Sequence, residues 1–163
     1  MPVLDTIWLA PGAQFPHLDN RTVVKPSGGA GGRDVRIATA DDHIDAATRE
    51  SWIAQPYVGS EERHLRVLVI GGSVVTAYGR TAASDRVANN IEAGGSRIAA
   101  RDASAEALAL DVASLLQAGI AGVDLVPDPW RVLEVNSSPG IPPAAIDAAA
   151  AALAELLDAK RLR

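Results

Sequence analysis

Residues 121–140 read Ala121-Gly122-Val123-Asp124-Leu125-Val126-Pro127-Asp128-Pro129-Trp130-Arg131-Val132-Leu133-Glu134-Val135-Asn136-Ser137-Ser138-Pro139-Gly140. Two short apolar runs, 123–126 and 132–135, flank a turn built on Pro127-Asp128-Pro129-Trp130, which is the pattern of a pair of β-strands. Residues two apart on a strand share a face, so Glu134 and Asn136 project together while Leu133 and Val135 face the other layer. A register that sets Asp124 across from Glu134 adds a third oxygen donor to that face. Acidic groups inside apolar strands are costly unless paired or metal-bound. Such a donor set suits Mg²⁺ (or Mn²⁺), a hard ion that takes a few carboxylates and shares substrate phosphate oxygens. The alternative is that all three are ordinary polar positions at a sheet edge.

Upstream, Val23 and Val24 lead into Lys25, and the run Ser27-Gly28-Gly29-Ala30-Gly31-Gly32 separates this strand from a second at 35–38. Gly29, Gly31 and Gly32 offer backbone N–H groups without side-chain obstruction, as loops that cover phosphates do. No Gly-Lys-Ser/Thr follows, so this is not a Walker A loop. Lys25 stands out, because the chain has 13 Arg and only 2 Lys; a compact ammonium beside a Gly-rich loop suits phosphate oxygens. Gln55-Pro56-Tyr57-Val58 ends a strand, and Pro56 removes a backbone donor there, so the stretch can leave backbone groups for an adenine rim. Arg66 and Arg80 are candidates to hold a transferred phosphoryl, and Asn90 to hydrogen-bond phosphate or acceptor; for each arginine, exposed surface charge is the alternative. His17, His43 and His64 lack ligand spacing, which argues against zinc.

The remaining pattern predicts a strand over 3–9, a helix over 40–50 opened by Asp41 and Asp42, and a strand over 52–58. A hairpin follows, with strands 65–70 and 74–78 joined at Gly71-Gly72. Residues 81–101 read as a long polar loop with local strands. A helix over 104–117 has Ser104 as N-cap and Gly119 past its end, and a terminal helix spans 142–159. Interleaved strands and helices with an antiparallel emphasis indicate an α+β fold. The expected organisation is a lead-in at 1–21, a small lobe at 22–63 and a large lobe at 64–163.

The 163 residues, 48% hydrophobic, fit a globular chain. A net charge of -5 argues against duplex nucleic acid as partner. No apolar stretch approaches the roughly 20 residues of a membrane span, and no secretory signal is visible, so the expected compartment is the cytoplasm. With Cys 0, thiolate chemistry is excluded.

Taken in order, these pieces resemble the RimK-like ATP-grasp family. The resemblance runs through Val23-Val24-Lys25 and its Gly-rich loop, Gln55-Pro56-Tyr57-Val58, residues 65–72, Arg80, Asn89-Asn90-Ile91 with Gly94-Gly95, Ala121-Gly122-Val123-Asp124 and residues 133–140. It implies an ATP-grasp fold in which ATP lies between two α+β lobes, with Lys25 on the phosphates and the segment around Pro56 and Tyr57 on adenine. It further implies His64, Asn89, Asn90 and Leu133 among the nucleotide contacts, and Asp124, Glu134 and Asn136 as magnesium ligands. The implied reaction is an ADP-forming carboxylate-amine ligation through an acyl phosphate, with an amino acid, a peptide or a protein tail as substrate. His64 stands where the family usually carries Asp, with Glu61 or Glu62 as candidate substitutes for the ribose, and Ala88 and Ala93 replace basic residues near Asn90. The family's N-terminal domain and an earlier phosphate-binding Lys have no counterpart here, so the expectation is that another chain supplies them or that this is a fragment or truncated gene product; a homo-oligomer is the other partner expected. The rival readings are a non-catalytic or truncated ATP/Mg-binding module and a magnesium-dependent hydrolase using Asp124 and Glu134 as acid-base carboxylates.

Overall fold

The structure is a computed structural model that describes residues 1–13, 21–28, 34–38, 49–58, 64–81 and 96–161. Nine strands and two helices follow in the order β1 (Ile7–Leu9), β2 (Thr22–Pro26), β3 (Arg36–Ala38), β4 (Trp52–Pro56), β5 (His64–Ile70), β6 (Ser73–Thr81), β7 (Ser96–Ala99), α1 (Ala103–Leu115), β8 (Ile120–Val126), β9 (Arg131–Asn136) and α2 (Ile146–Arg161) among the described residues. A 3₁₀ turn, Pro143–Ala145, leads into α2. The helix expected over 40–50 lies outside the described residues.

The strands form two sheets, β1-β4-β2-β3 and β7-β6-β5-β8-β9. The chain divides into two compact units that interleave in sequence: one holds Met1–Val3, Arg63–Gly79 and Arg97–Arg163, the other Leu4–Glu62 and Arg80–Ser96. The strand expected over 3–9 is therefore split. Val3 makes an isolated parallel bridge to Val132, and the Val132 N–H donates to the Pro2 carbonyl. Ile7–Leu9 pairs instead with β4.

In the five-stranded sheet, alternation sorts β5 cleanly. Leu65, Val67 and Val69 meet Ala121, Val123 and Leu125 of β8 under α1, which contributes Ala105, Ala109, Val112 and Ala113. Leu68 and Ile70, on the opposite face, pack with Ala149, Ala152, Leu153 and Leu156 of α2. Arg66 shares that second face by period-two geometry, beyond the part that α2 covers. Strand β5 thus has one apolar face, Leu65, Val67 and Val69, and one that turns from apolar at Leu68 and Ile70 to polar at Arg66 and His64.

Two caps differ from expectation. Asp102, not Ser104, is the N-cap of α1, its side chain accepting from the Ala105 N–H at 2.9 Å. At the other end Gln117, not Gly119, carries the positive φ of 51°. The Gln117 N–H donates to Ser114 O and the Ala118 N–H to Ala113 O, the bonding of a Schellman motif built without glycine. No described helix is long and apolar enough to cross a membrane.

Candidate functional site

Strands β5, β8 and β9 are antiparallel neighbours, and their register sets Arg66 opposite Asp124 and Asp124 opposite Glu134. Three charged side chains therefore stand in one row across the sheet. The Arg66 Nε donates to Asp124 Oδ1 and Nη2 to Oδ2, both at 2.5 Å, and Nη2 also lies 3.7 Å from Glu134 Oε1. Arg66 and Asp124 are buried at 8% and 4% exposure, whereas the Glu134 side chain is 45% exposed. Burial pulls the Arg66 pKa down, but the hydrogen bonds and charge of Asp124, with smaller help from Tyr78 and Glu134, outweigh it and hold the guanidinium above its ordinary value. An acid inside an apolar strand is thus accounted for here by a paired cation.

The register shifts between Asp124 and Leu125: Asp124 faces Glu134 but Leu125 faces Val132, so Leu133 is the extra residue of a β-bulge. Simple alternation consequently fails in β9. Val132 and Val135, three apart, both join the core beneath α1, while Leu133 belongs to neither apolar cluster of this unit among the described residues. Leu133 does not face the α1 layer as the period of two required. Beyond the bulge, Asn136 sits opposite Gly122, and its Oδ1 accepts from the Ser138 N–H at 2.8 Å.

The donors can hold a hard cation. The Asp124 oxygens accept from Arg66, the Asn136 oxygen accepts from Ser138 N–H, and the Glu134 side chain is 45% exposed; carboxylate and amide oxygens each carry more than one lone pair. Two carboxylates and an amide oxygen match Mg²⁺ chemistry. Among the described residues no group of three or more His, Cys, Asp or Glu gathers, because the third donor is an amide.

In the four-stranded sheet, Lys25 is half-buried on β2 opposite Ile53 of β4. Gln55 is buried, and its Nε2 donates to Thr6 Oγ1 at 2.9 Å. Tyr57 follows β4 directly; its N–H donates to Arg21 O at 2.7 Å, and the Arg21 guanidinium lies 4.8 Å from the ring centroid. That N–H is therefore occupied within the sheet. Pro56 closes β4 and Val58 lies beyond it. His64 opens β5 and is buried, and Arg80 is buried near the end of β6. Gly29, Gly31, Gly32, Asn89 and Asn90 lie outside the described residues.

What the sequence reading missed is the task of Arg66. The signal was present, since Arg66 is the one charge in the run 65–70 and a charge within such a strand requires a counter-ion.

Residues 13–159 match the RimK-like ATP-grasp domain. The chain is 35% identical over 129 residues to a Stenotrophomonas maltophilia protein named "Probable alpha-L-glutamate ligase", covering 73% of this chain and 44% of that protein. It is 34% identical over 131 residues to the coenzyme gamma-F420-2:alpha-L-glutamate ligase of Methanocaldococcus jannaschii, covering 72% and 44%. The chain thus spans less than half the length of these relatives. Among solved structures, D-cycloserine synthetase DcsG superposes with a TM-score of 0.69 at 24% identity, over 99% of this chain and 66% of that one. The D-alanine–D-alanine ligase of Bacillus anthracis does so with a TM-score of 0.66 at 20% identity, over 96% and 59%. The fold is the α+β ATP-grasp fold, and the chain belongs to the RimK-like ATP-grasp family.

Proposed function

We propose that this chain furnishes the nucleotide- and cation-binding portion of an ATP-dependent carboxylate-amine ligase. What supports this reading is the register that sets Asp124 opposite Glu134, with Asn136 two residues further along β9, beside a buried guanidinium, within a family of ATP-grasp domains. A substrate carboxylate oxygen attacks the γ-phosphorus of ATP and ADP departs. An amine then attacks the acyl carbon and expels phosphate, leaving an amide.

Asp124, Glu134 and Asn136 hold Mg²⁺ (or Mn²⁺), which when bound offsets charge on the transferred phosphoryl. Lys25 contacts the phosphates, and the loop at Gly29, Gly31 and Gly32 covers them and keeps water from the acyl phosphate. Arg80 neutralises charge on the phosphoryl in flight. Gln55, Pro56, Val58 and the Tyr57 ring border adenine, with His64 and Leu133 nearby, and Asn89 and Asn90 serve the phosphate or acceptor side. Two relatives carry glutamate in their names, so an amino acid of that kind heads the substrates to try, followed by a peptide or protein tail. A reaction that consumes ATP belongs in the cytoplasm, where ATP is supplied.

The test is ADP release when candidate carboxylates and amines are added with ATP and Mg²⁺. Release that depends on both substrates, and is abolished in Glu134→Gln with the fold intact, is the expected result. Unchanged ATP affinity and turnover in Glu134→Gln would remove the cation assignment. ATP retained without ADP or amide would mark a non-catalytic binding module.

A further inference from the structure

Resting on the reading just given, we infer that Arg66 is a positioning residue that keeps the Asp124–Glu134 pair from taking up a bare divalent cation, so that the ion enters together with nucleotide phosphates. The row holds two carboxylates and one guanidinium, which leaves one net negative charge where two carboxylates alone would present two. The guanidinium is not peripheral to this balance. It bonds both oxygens of Asp124 and lies 3.7 Å from Glu134, so a cation between the carboxylates meets its positive charge at close range.

Arg66 is also held in place. Its Nε lies 3.7 Å from where a Cβ on Gly122 would stand, and Pro139 closes over that same glycine. With its fork fixed and its partner buried, the side chain gains little by swinging away when a lone cation approaches. A nucleotide changes the balance, because phosphate oxygens bring negative charge. Only two of the five N–H groups of a guanidinium are committed to Asp124, and the others attract phosphate. The charge that repels a bare ion thereby attracts an ion carried on a polyphosphate.

The experiment titrates Mn²⁺ alone, followed by electron paramagnetic resonance, into the 163-residue chain and its variants without nucleotide. Magnesium-dependent ATP binding to the unaltered chain is measured calorimetrically in parallel. Arg66→Met and Arg66→Gln should each bind Mn²⁺ about tenfold tighter or more than the unaltered chain. Arg66→Lys should bind like the unaltered chain, and Arg66→Met combined with Glu134→Gln should lose the gain. Equal or weaker Mn²⁺ binding in both neutral variants overturns the inference, as does unaltered protein that binds Mn²⁺ no more tightly with ATP than without. If neither neutral variant folds without a cation, recovery of the folded circular-dichroism spectrum on adding Mn²⁺ alone supports the inference, and no recovery overturns it. ATP binding that ignores Mg²⁺ in the unaltered chain sinks the proposed function and this inference together. Intact Mg²⁺-dependent ATP binding with no gain in the variants sinks the inference alone.

Discussion

Pro139 occupies the space that a side chain at Gly122 would need: a Cβ built at position 122 would stand 2.6 Å from Pro139 Cβ. The segment after β9 therefore lies directly on β8, and glycine is demanded by contact rather than by backbone conformation. It brings the chain after Asn136 down beside the row of charges.

Gly122→Ala should accordingly destabilise the chain by about 1–3 kcal/mol, the usual range for overpacking. Urea denaturation reads the loss. Gly122→Ala combined with Pro139→Gly should cost clearly less than the two single changes added, because the second removes the atom that collides. Strict additivity would mean that the contact is absent in solution.

The Arg66–Asp124 pair should behave as a buried ion pair does. Arg66→Met or Asp124→Asn alone removes one partner and should cost about 3–5 kcal/mol, since the other charge stays buried. Combining Arg66→Met with Asp124→Asn should cost less than the sum of the two single changes by about 0.5–3 kcal/mol in a double-mutant cycle. Because the Arg66 pKa is raised on folding, its contribution is complete below the ordinary guanidinium range and is lost only above it. Stability attributable to Arg66 titration should therefore stay flat from acid to mildly alkaline pH. A cycle with no coupling would contradict the bonding described.

Helix α1 offers an independent pair of measurements far from the charged row. Asp102→Ala removes the acceptor of the Ala105 N–H and should cost about 1 kcal/mol. Gln117→Gly relieves a left-handed conformation and should gain a few tenths of a kcal/mol, roughly the αL penalty less the extra freedom of the unfolded chain. Thermal unfolding of both variants checks the two signs, and a stabilising Asp102→Ala would refute the cap.

Much of this was readable in advance. The strands β5, β6, β8 and β9 announce themselves because alternation and glycine turns are local properties, visible in any window of six or eight residues. The cap assignments were less legible. Asp102 and Ser104 are both good N-caps by chemistry, and only the backbone at Asp102, extended at φ -147° and ψ 121°, decides between them. Gln117 gives no sign of its left-handed φ, since the side chain does not favour it.

From sequence alone came the α+β class, the order of the strands along the chain and the three oxygen-bearing residues near its C-terminal third, all of which depend on residue type and short spacing. Tertiary structure alone decided that Arg66 meets Asp124 across 58 positions, that Leu133 bulges so that Val132 and Val135 share a core, and that Pro139 closes on Gly122. Those are matters of register between strands, and register is set by which faces can be buried together, a condition that no single stretch of chain contains.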